Sequence, residues 1–481
     1  MKLFARGSAW AALNYVVSYT LRLGSNLVLW RLLYPDAFGL MAIVNSIIQG
    51  LSMFSDIGIA QTVVQNDRGE EPDFLNTIWT LQVVRGLGIC ALACLAALPV
   101  ARFYHQPQLT GLILVVASSV GISAFNSTNF FTASRRLAVK RLTLIDLGSQ
   151  VANLVVIIVW SALTGSVWAL AAGSVVSALL RLVLGHVALP GIRNRFQWNP
   201  EVVREVSHFG RWIFLSTILT FLASYSDKLI FGRLISMDRL GVYGIAGVWA
   251  TFPNYIIGHL TSTVLFPLLS RLRSKDGDLP QSFTRLRMSL LLASGWLFSC
   301  LLAGGPALVR FLYDQRALEA GPLIQLLAVG YWFSTLESSN GSVLLALGRP
   351  KGVAMGQIGK VVSMIVLLPL AAHLFGFWAT VLALSVTELA RYAVSVVNCN
   401  AARFRPLGMD MLFSLATALA GGLGWVVREG YVRMPLHPAS VRADAFLEGL
   451  TILLALSAVW LAAFVVLRRR AAAPDVEPTP A

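Results

Sequence analysis

The sequence predicts an all-α polytopic membrane protein of about 14 transmembrane helices, arranged as two six-helix lobes and an added C-terminal pair. Three observations carry that expectation. Only 13% of the 481 residues are charged while 56% are hydrophobic; apolar runs of spanning length follow one another along the chain; and a sequence repeat spans an even number of those runs. A soluble globular protein carries about a quarter charged residues, and the mean hydropathy of +0.70 belongs to the whole length. A helix that crosses the hydrocarbon needs about 20 mostly apolar residues. Only short connections remain between the runs, which leaves no room for a soluble domain of useful size.

In chain order the runs fall at 9–33, 38–63, 74–98, 109–133, 142–163, 167–189, 209–235, 240–269, 287–312, 322–347, 353–374, 378–399, 409–427 and 446–467. Turn and charge signals separate them, as at Tyr34-Pro35-Asp36, Asn66-Asp67-Arg68-Gly69 and Gly348-Arg349-Pro350-Lys351. The opening MKLFARGSAW leads into a first run too long for a signal-peptide core and without a small-residue cleavage site, so a retained helix is expected. The segment Ala471–Ala481, with three prolines and no apolar run, is expected to be disordered.

Adding 202 to a residue number maps the first run and its turn onto the seventh without a gap. Trp10 falls on Trp212, Leu13 on Leu215, Arg31 on Arg233, Leu32 on Leu234, Asp36 on Asp238, Gly39 on Gly241 and Ile43 on Ile245. Leucine matches are cheap in an apolar chain; Trp, Arg, Asp and Gly in one register are less so. Six runs lie within the period, so the halves share one orientation, as in a parallel repeat about the membrane normal with any substrate site between halves. The expected organisation is an N-lobe at 1–189, a cytoplasmic connection at 190–208, a C-lobe at 209–399, an extra pair at 400–470 and a tail at 471–481.

With the N-terminus inside, the cytoplasmic segments hold 23 Lys and Arg, Arg287 among them, and the opposite side 8, Arg310 and Arg428 among them. Retention of positive charge in the cytoplasm predicts this orientation, with both termini inside. The net charge of +15 is thereby explained by topology, with membrane lipids as neighbours and no nucleic acid. Cys90, Cys94, Cys300 and Cys399 lie in apolar runs and read as small core residues, and no metal or cofactor is expected.

Several short motifs add a resemblance. Arg31-Leu-Leu-Tyr-Pro-Asp-Ala-Phe-Gly-Leu40 followed by Phe54-Ser-Asp56-Ile-Gly58, then Asp227-Lys-Leu-Ile-Phe-Gly232-Arg233 with Leu240-Gly-Val-Tyr243, and Ala346-Leu-Gly348-Arg349 resemble bacterial polysaccharide and oligosaccharide flippases of Wzx type. These belong to the multidrug/oligosaccharidyl-lipid/polysaccharide superfamily. The resemblance covers about the first 400 residues. It implies two six-helix lobes around a central cavity and alternating-access movement of a lipid-linked saccharide across the bacterial inner membrane, alongside polymerase and export machinery. Many members stop at 12 helices; the extra pair is similar to the lipid II flippases.

Seven cations are counted within runs, Arg22, Arg31, Arg85, Arg181, Lys228, Lys360 and Arg391, while Arg211, Arg233, Arg287 and Arg310, close to run ends, are counted with the connections. A central charge costs about 2.5–3.5 kcal/mol on insertion scales, so such residues face a bundle interior or a wet cavity. Tyr15, Ser18, Tyr19, Arg22, Ser25 and Asn26 form one stripe of the first helix, and Asn45, Gln49, Ser52 and Asp56 one of the second. Hydrogen bonding between helices is the plain alternative for the uncharged members. Given the resemblance, the carrier's pyrophosphate is the expected anion, held by Arg22, Arg85, Lys228 and Lys360. Shifting Lys228 back by 202 lands four residues beyond Arg22, which places the two cations on equivalent helix faces, roughly 6 Å apart in depth.

Among the acids Asp56, Asp146, Asp227, Glu337 and Glu388, Glu337 has no cation within a turn of its own helix and is the first coupling candidate; Asp227 is the second. Glu388 and Arg391 are expected to pair at i,i+3. Asp56 and Asp146 sit toward helix ends, as capping or solvated groups. A drug-type antiporter would favour acids over cations in its cavity. A membrane glycosyltransferase or polymerase would need a large catalytic loop, and the longest outer connection, 428–445, carries no cluster of carboxylates or histidines. A non-enzymatic transporter is expected.

Overall fold

The computed structural model describes residues 2–56, 58–136, 138–273, 279–434, 438 and 440–472, and every regular element among them is helical. Two compact units divide the chain, Met1–Val242 and Tyr243–Ala481.

The first unit holds α1 (Lys2–Leu32), α2 (Pro35–Phe54), α3 (Ile59–Gln65), α4 (Pro72–Tyr104), α5 (Gln108–Ala124), α6 (Asn129–Arg135), α7 (Val139–Thr164), α8 (Trp168–Val187) and α9 (Pro200–Leu234). Proline opens α2, α4 and α9, where its fixed φ suits the first turn and its missing N–H leaves no donor unpaired. Asn199 caps α9 by accepting from the Glu201 N–H at 2.9 Å. Within this unit α4 packs on α5, α7 on α8, α1 on α7 and α2 on α9. Ile59, Val63, Phe74, Leu75, Ile78, Val202 and Val206 form one buried cluster joining α3, α4 and α9. The lobe boundary of the repeat falls near 209, whereas the compact unit runs on to 242 because α9 lies against α2 and α4.

The repeat has a structural signature inside this unit. A Cβ on Gly39 would collide with the carbonyl of Met237, and one on Gly241 with the carbonyl of Pro35. Pro35 and Met237 are themselves related by the same shift as Gly39 and Gly241, so the contact maps onto itself. Glycine is required at both positions because backbone meets backbone there.

The second unit continues α10 (Met237–Leu260) through a π-turn at Thr261–Leu265 into α11 (Phe266–Arg273). It then holds α12 (Leu279–Leu312), α13 (Ala320–Ala346), α14 (Pro350–Ala401), α15 (Leu407–Val432) and α16 (Val441–Ala472). α14 is two helices divided at Gly376, whose φ of 76° breaks the run where the sequence separates 353–374 from 378–399. The added pair belongs to this unit's core: Phe298, Trp332, Phe413, Ala420, Leu456 and Trp460 pack together. Trp296 donates to Ser457 at 3.1 Å and Trp460 to Ser299 at 3.0 Å, a reciprocal indole–hydroxyl exchange between α12 and α16.

Helices fall in each of the fourteen apolar runs, with breaks after Phe54 in the second and after Ala124 in the fourth. By length and composition nine of the described helices can cross a membrane, ten if the pair Gln108–Ala124 and Asn129–Arg135, bent by 63°, is one span. That measure takes α14 once and passes over α1, α9 and α13, whose polar residues dilute their hydropathy. The expected disordered tail lies, from residue 473, outside the described residues. Cys399 is buried in a core cluster, whereas Cys94 faces outward rather than into the core as expected.

Candidate functional site

In the first unit the stripe on α1 is real. Tyr15 and Tyr19 stack at 6.3 Å, and the Ser25 hydroxyl donates to the Arg22 carbonyl at 2.9 Å. The Arg22 side chain is exposed and makes no ion pair among the described residues. Arg85, half-buried on α4, donates from Nη2 to the Ser52 carbonyl at 2.7 Å and from Nε to the Ser55 hydroxyl at 3.2 Å. It therefore caps the C-terminal end of α2, where unpaired carbonyls favour a cation. Asp56 is close enough to act on Arg85 electrostatically and accepts from the Gly58 N–H at 3.0 Å, a turn bond ahead of α3 and not the helix cap expected of it. Lys228 places Nζ 5.1 Å from the Tyr225 ring centre, with Asp227 half-buried beside it. Arg31 is exposed in the last turn of α1. Arg181 pairs with Asp146 at 3.3 Å and lies over Phe130.

The second unit gathers its charges differently. Glu337 on α13, Lys360 on the first arm of α14, and Glu388 and Arg391 on its second arm form one quartet, its two carboxylates buried and its two cations largely so. Lys360 Nζ lies 2.5 Å from Glu388 Oε1, and Arg391 Nη2 pairs with Glu337 Oε2. The expected i,i+3 pair of Glu388 and Arg391 exists only as a longer contact of 3.6 Å. Glu337, free of cations on its own helix, thus receives one from α14. Gly341 and Gly356 lie beside the Glu337 carboxylate, where an added Cβ would meet it in ordinary van der Waals contact. Two cations and two acids balance, which is what lets four charges stay buried together.

Two further ionic centres escaped sequence reasoning. Arg287, placed there in a cytoplasmic loop, is fully buried inside α12, because the helix already begins at Leu279. Its guanidinium lies 2.8 Å from Asp410 on α15, with Nε donating to Ser339 at 2.8 Å and Nη2 to the Leu336 carbonyl at 3.2 Å. Tyr392 donates to the other Asp410 oxygen at 2.7 Å. Glu448 on α16, also buried, takes Arg428 at 2.9 Å and Arg310, two arginines assigned to the outer side as loop charges. Removing these three from the loop tally takes one from the larger group and two from the smaller, so the asymmetry keeps its sign. Outside the membrane segments, hydrogen bonds from Arg136 hold the Glu70 carboxyl below its usual range.

Apolar helices of spanning length with charges paired inside them define a multi-pass α-helical membrane protein. Residues 28–292, more than half of the chain, match the family described as polysaccharide biosynthesis protein, and the chain belongs to that family. It is similar to the teichuronic acid biosynthesis protein TuaB of Bacillus subtilis (strain 168), 24% identical over 307 residues that cover 61% of each chain. The lipopolysaccharide biosynthesis protein WzxC of Escherichia coli (strain K12) is 22% identical over 348 residues, 71% of this chain and 70% of that one. The match thus spans about three fifths of the length of the first relative. Among solved structures, lipid II flippase MurJ in its inward closed conformation superposes with a TM-score of 0.72 at 12% identity, covering 94% of this chain and 99% of that one. That likeness establishes the fold. The resemblance to Wzx-type flippases is thereby sustained.

Proposed function

We propose that this protein is a flippase that carries a saccharide linked to polyprenyl pyrophosphate across the bacterial inner membrane by alternating access, without catalysing a reaction. The observation that carries the proposal is Arg22: a cation in mid-helix, on a polar stripe, with no carboxylate paired to it among the described residues. A charge so placed needs a wet cavity or an anion, and a diphosphate offers oxygens to the guanidinium fork. Arg85 and Lys228 supply further positive charge in the same unit, Arg85 already bonded to α2 and Lys228 over Tyr225. The family and the flippase fold support the same reading. In the proposal both termini are cytoplasmic and about 14 helices cross.

Lys360 enters the proposal with its counterion. Held by Glu388, it becomes available to an anion only when the quartet rearranges. That makes the quartet the candidate coupling device, with Glu337 as the proton-exchanging group and Asp227 as the next choice. Polymerase and export proteins would be functional neighbours. Complementation of a flippase-null strain tests the anion site: Arg22→Ala should fail while remaining folded in the membrane, and full transport by that variant would remove the proposal's foundation.

A further inference from the structure

Between α8 and α9 the chain from Pro190 to Asn199 has no regular structure, yet it is tied down along its length. Asn194 accepts from the Ser127 hydroxyl and the Thr128 N–H, both at 3.1 Å, and donates to the Thr128 hydroxyl at 2.7 Å. Asn129 donates to the Ile192 carbonyl at 3.2 Å. The Arg195 N–H donates to Asn76 at 3.0 Å and the Gln197 N–H to the Thr80 hydroxyl at 3.0 Å. Asn76, Thr80, Ser127, Thr128 and Asn129 are all buried. Polar side chains of α4 and of the α5–α6 turn thus replace the partners a strand or helix would have given this backbone. The segment is a strap fixed beside the first turns of α4, with an inner face and an outer face.

The outer face is unlike the inner one. It carries Arg193 and Arg195, both exposed and without an ion pair among the described residues, and Phe196 and Trp198, 67% and 56% exposed. Phe196 packs against Trp79 with ring centres 4.8 Å apart and planes tilted by 53°. Two guanidinium groups followed by two exposed aromatics, at the ends of membrane helices, match the boundary between water and acyl chains, where aromatic rings settle at headgroup depth. Basic residues there are attracted to anionic lipid, and guanidinium presents paired donors to a phosphodiester.

We propose that this strap is a docking surface for anionic phospholipid headgroups, with Arg193 and Arg195 on the phosphates and Phe196 and Trp198 at the level of the glycerol. The charge complementarity commits the site to lipid, and it stands independently of the cargo.

The test uses the full chain, purified in neutral detergent and titrated with phosphatidylglycerol, phosphatidylcholine or inorganic phosphate. Thermal unfolding and lipid retained in native mass spectra are the readouts. Phosphatidylglycerol should raise the unfolding temperature, and the other two should not. Arg193→Gln with Arg195→Gln should cut both the rise and the lipid retained at least twofold, and the paired Lys variant should restore most of it. Arg349→Gln with Lys351→Gln, at a different basic connection, should keep the full response. Trp198→Ala leaves the strap's hydrogen bonds and charges in place and should lose part of it. A full phosphatidylglycerol response in the paired Gln variant, or an equal response to inorganic phosphate, overturns the proposal. Should the paired Gln variant not fold, an unchanged response in Trp198→Ala does the same.

Discussion

Replacing Asp410 with alanine removes the carboxylate paired with a guanidinium that is 0% exposed. Arg287 would keep the Ser339 hydroxyl at 2.8 Å and the Leu336 carbonyl at 3.2 Å, neither of which neutralises it, and the Tyr392 hydroxyl would lose its acceptor. Deleting one partner of a buried ion pair costs about 3–5 kcal/mol, which is roughly a 10²–10⁴-fold change in the folding equilibrium. Substituting both partners with apolar residues, Arg287→Met with Asp410→Leu, leaves neither charge of the pair behind; the Ser339 hydroxyl keeps the Leu336 carbonyl and the Tyr392 hydroxyl alone must find a new partner. Hydrogen bonds between membrane helices average about 0.6 kcal/mol, so the double variant should be markedly more stable than Asp410→Ala. Unfolding in mixed SDS micelles, measured for wild type, both single variants and the double, closes the cycle. A loss below about 1 kcal/mol in Asp410→Ala, or additive singles, would refute the claim that this pair locks α15 onto α12.

Other outcomes are equally specific. Glu337→Gln removes the charge opposite Arg391 and should leave flipping insensitive to a pH gradient while expression stays normal; unchanged pH dependence removes Glu337 from the coupling role and brings Asp227 forward. Arg22→Lys should be partly active where Arg22→Ala is inactive, since charge survives but the bidentate fork does not; equal activity in the two would argue against phosphate recognition. Cysteine labelling should report the cytoplasm at Arg135 and Arg403 and the outside at Gln106 and Gln315, and a reversed signal at Arg135 would invert the topology.

Much of the fold is legible in residues with local effects. Pro35, Pro72, Pro200 and Pro350 mark helix starts, and Gly376 marks the break that divides α14. The +202 register is legible too, and its glycines turn out to exchange places in one contact. The ionic centres were not legible, because pairing across helices leaves no trace in local spacing. Arg391 lies far from Glu337 in sequence, and its near neighbour Glu388 draws the eye instead. Arg287 was hidden by the polar run before it, which reads as a loop although the helix has already started. A usable signal did exist for the added pair: Trp296 and Ser299 on α12 mirror Ser457 and Trp460 on α16, each three residues apart.

The most direct test of the central claim is the fate of the lipid carrier when the gene is deleted. Isolating the lipid-linked saccharides of the deletion strain and assigning each to a membrane leaflet decides the matter. A flippase predicts a completed pyrophosphate-linked saccharide accumulating on the cytoplasmic leaflet, cleared when wild-type protein is restored and retained with Arg22→Ala. Accumulation of a carrier bearing an incomplete saccharide would point to a missing glycosyl transfer and contradict the transport account.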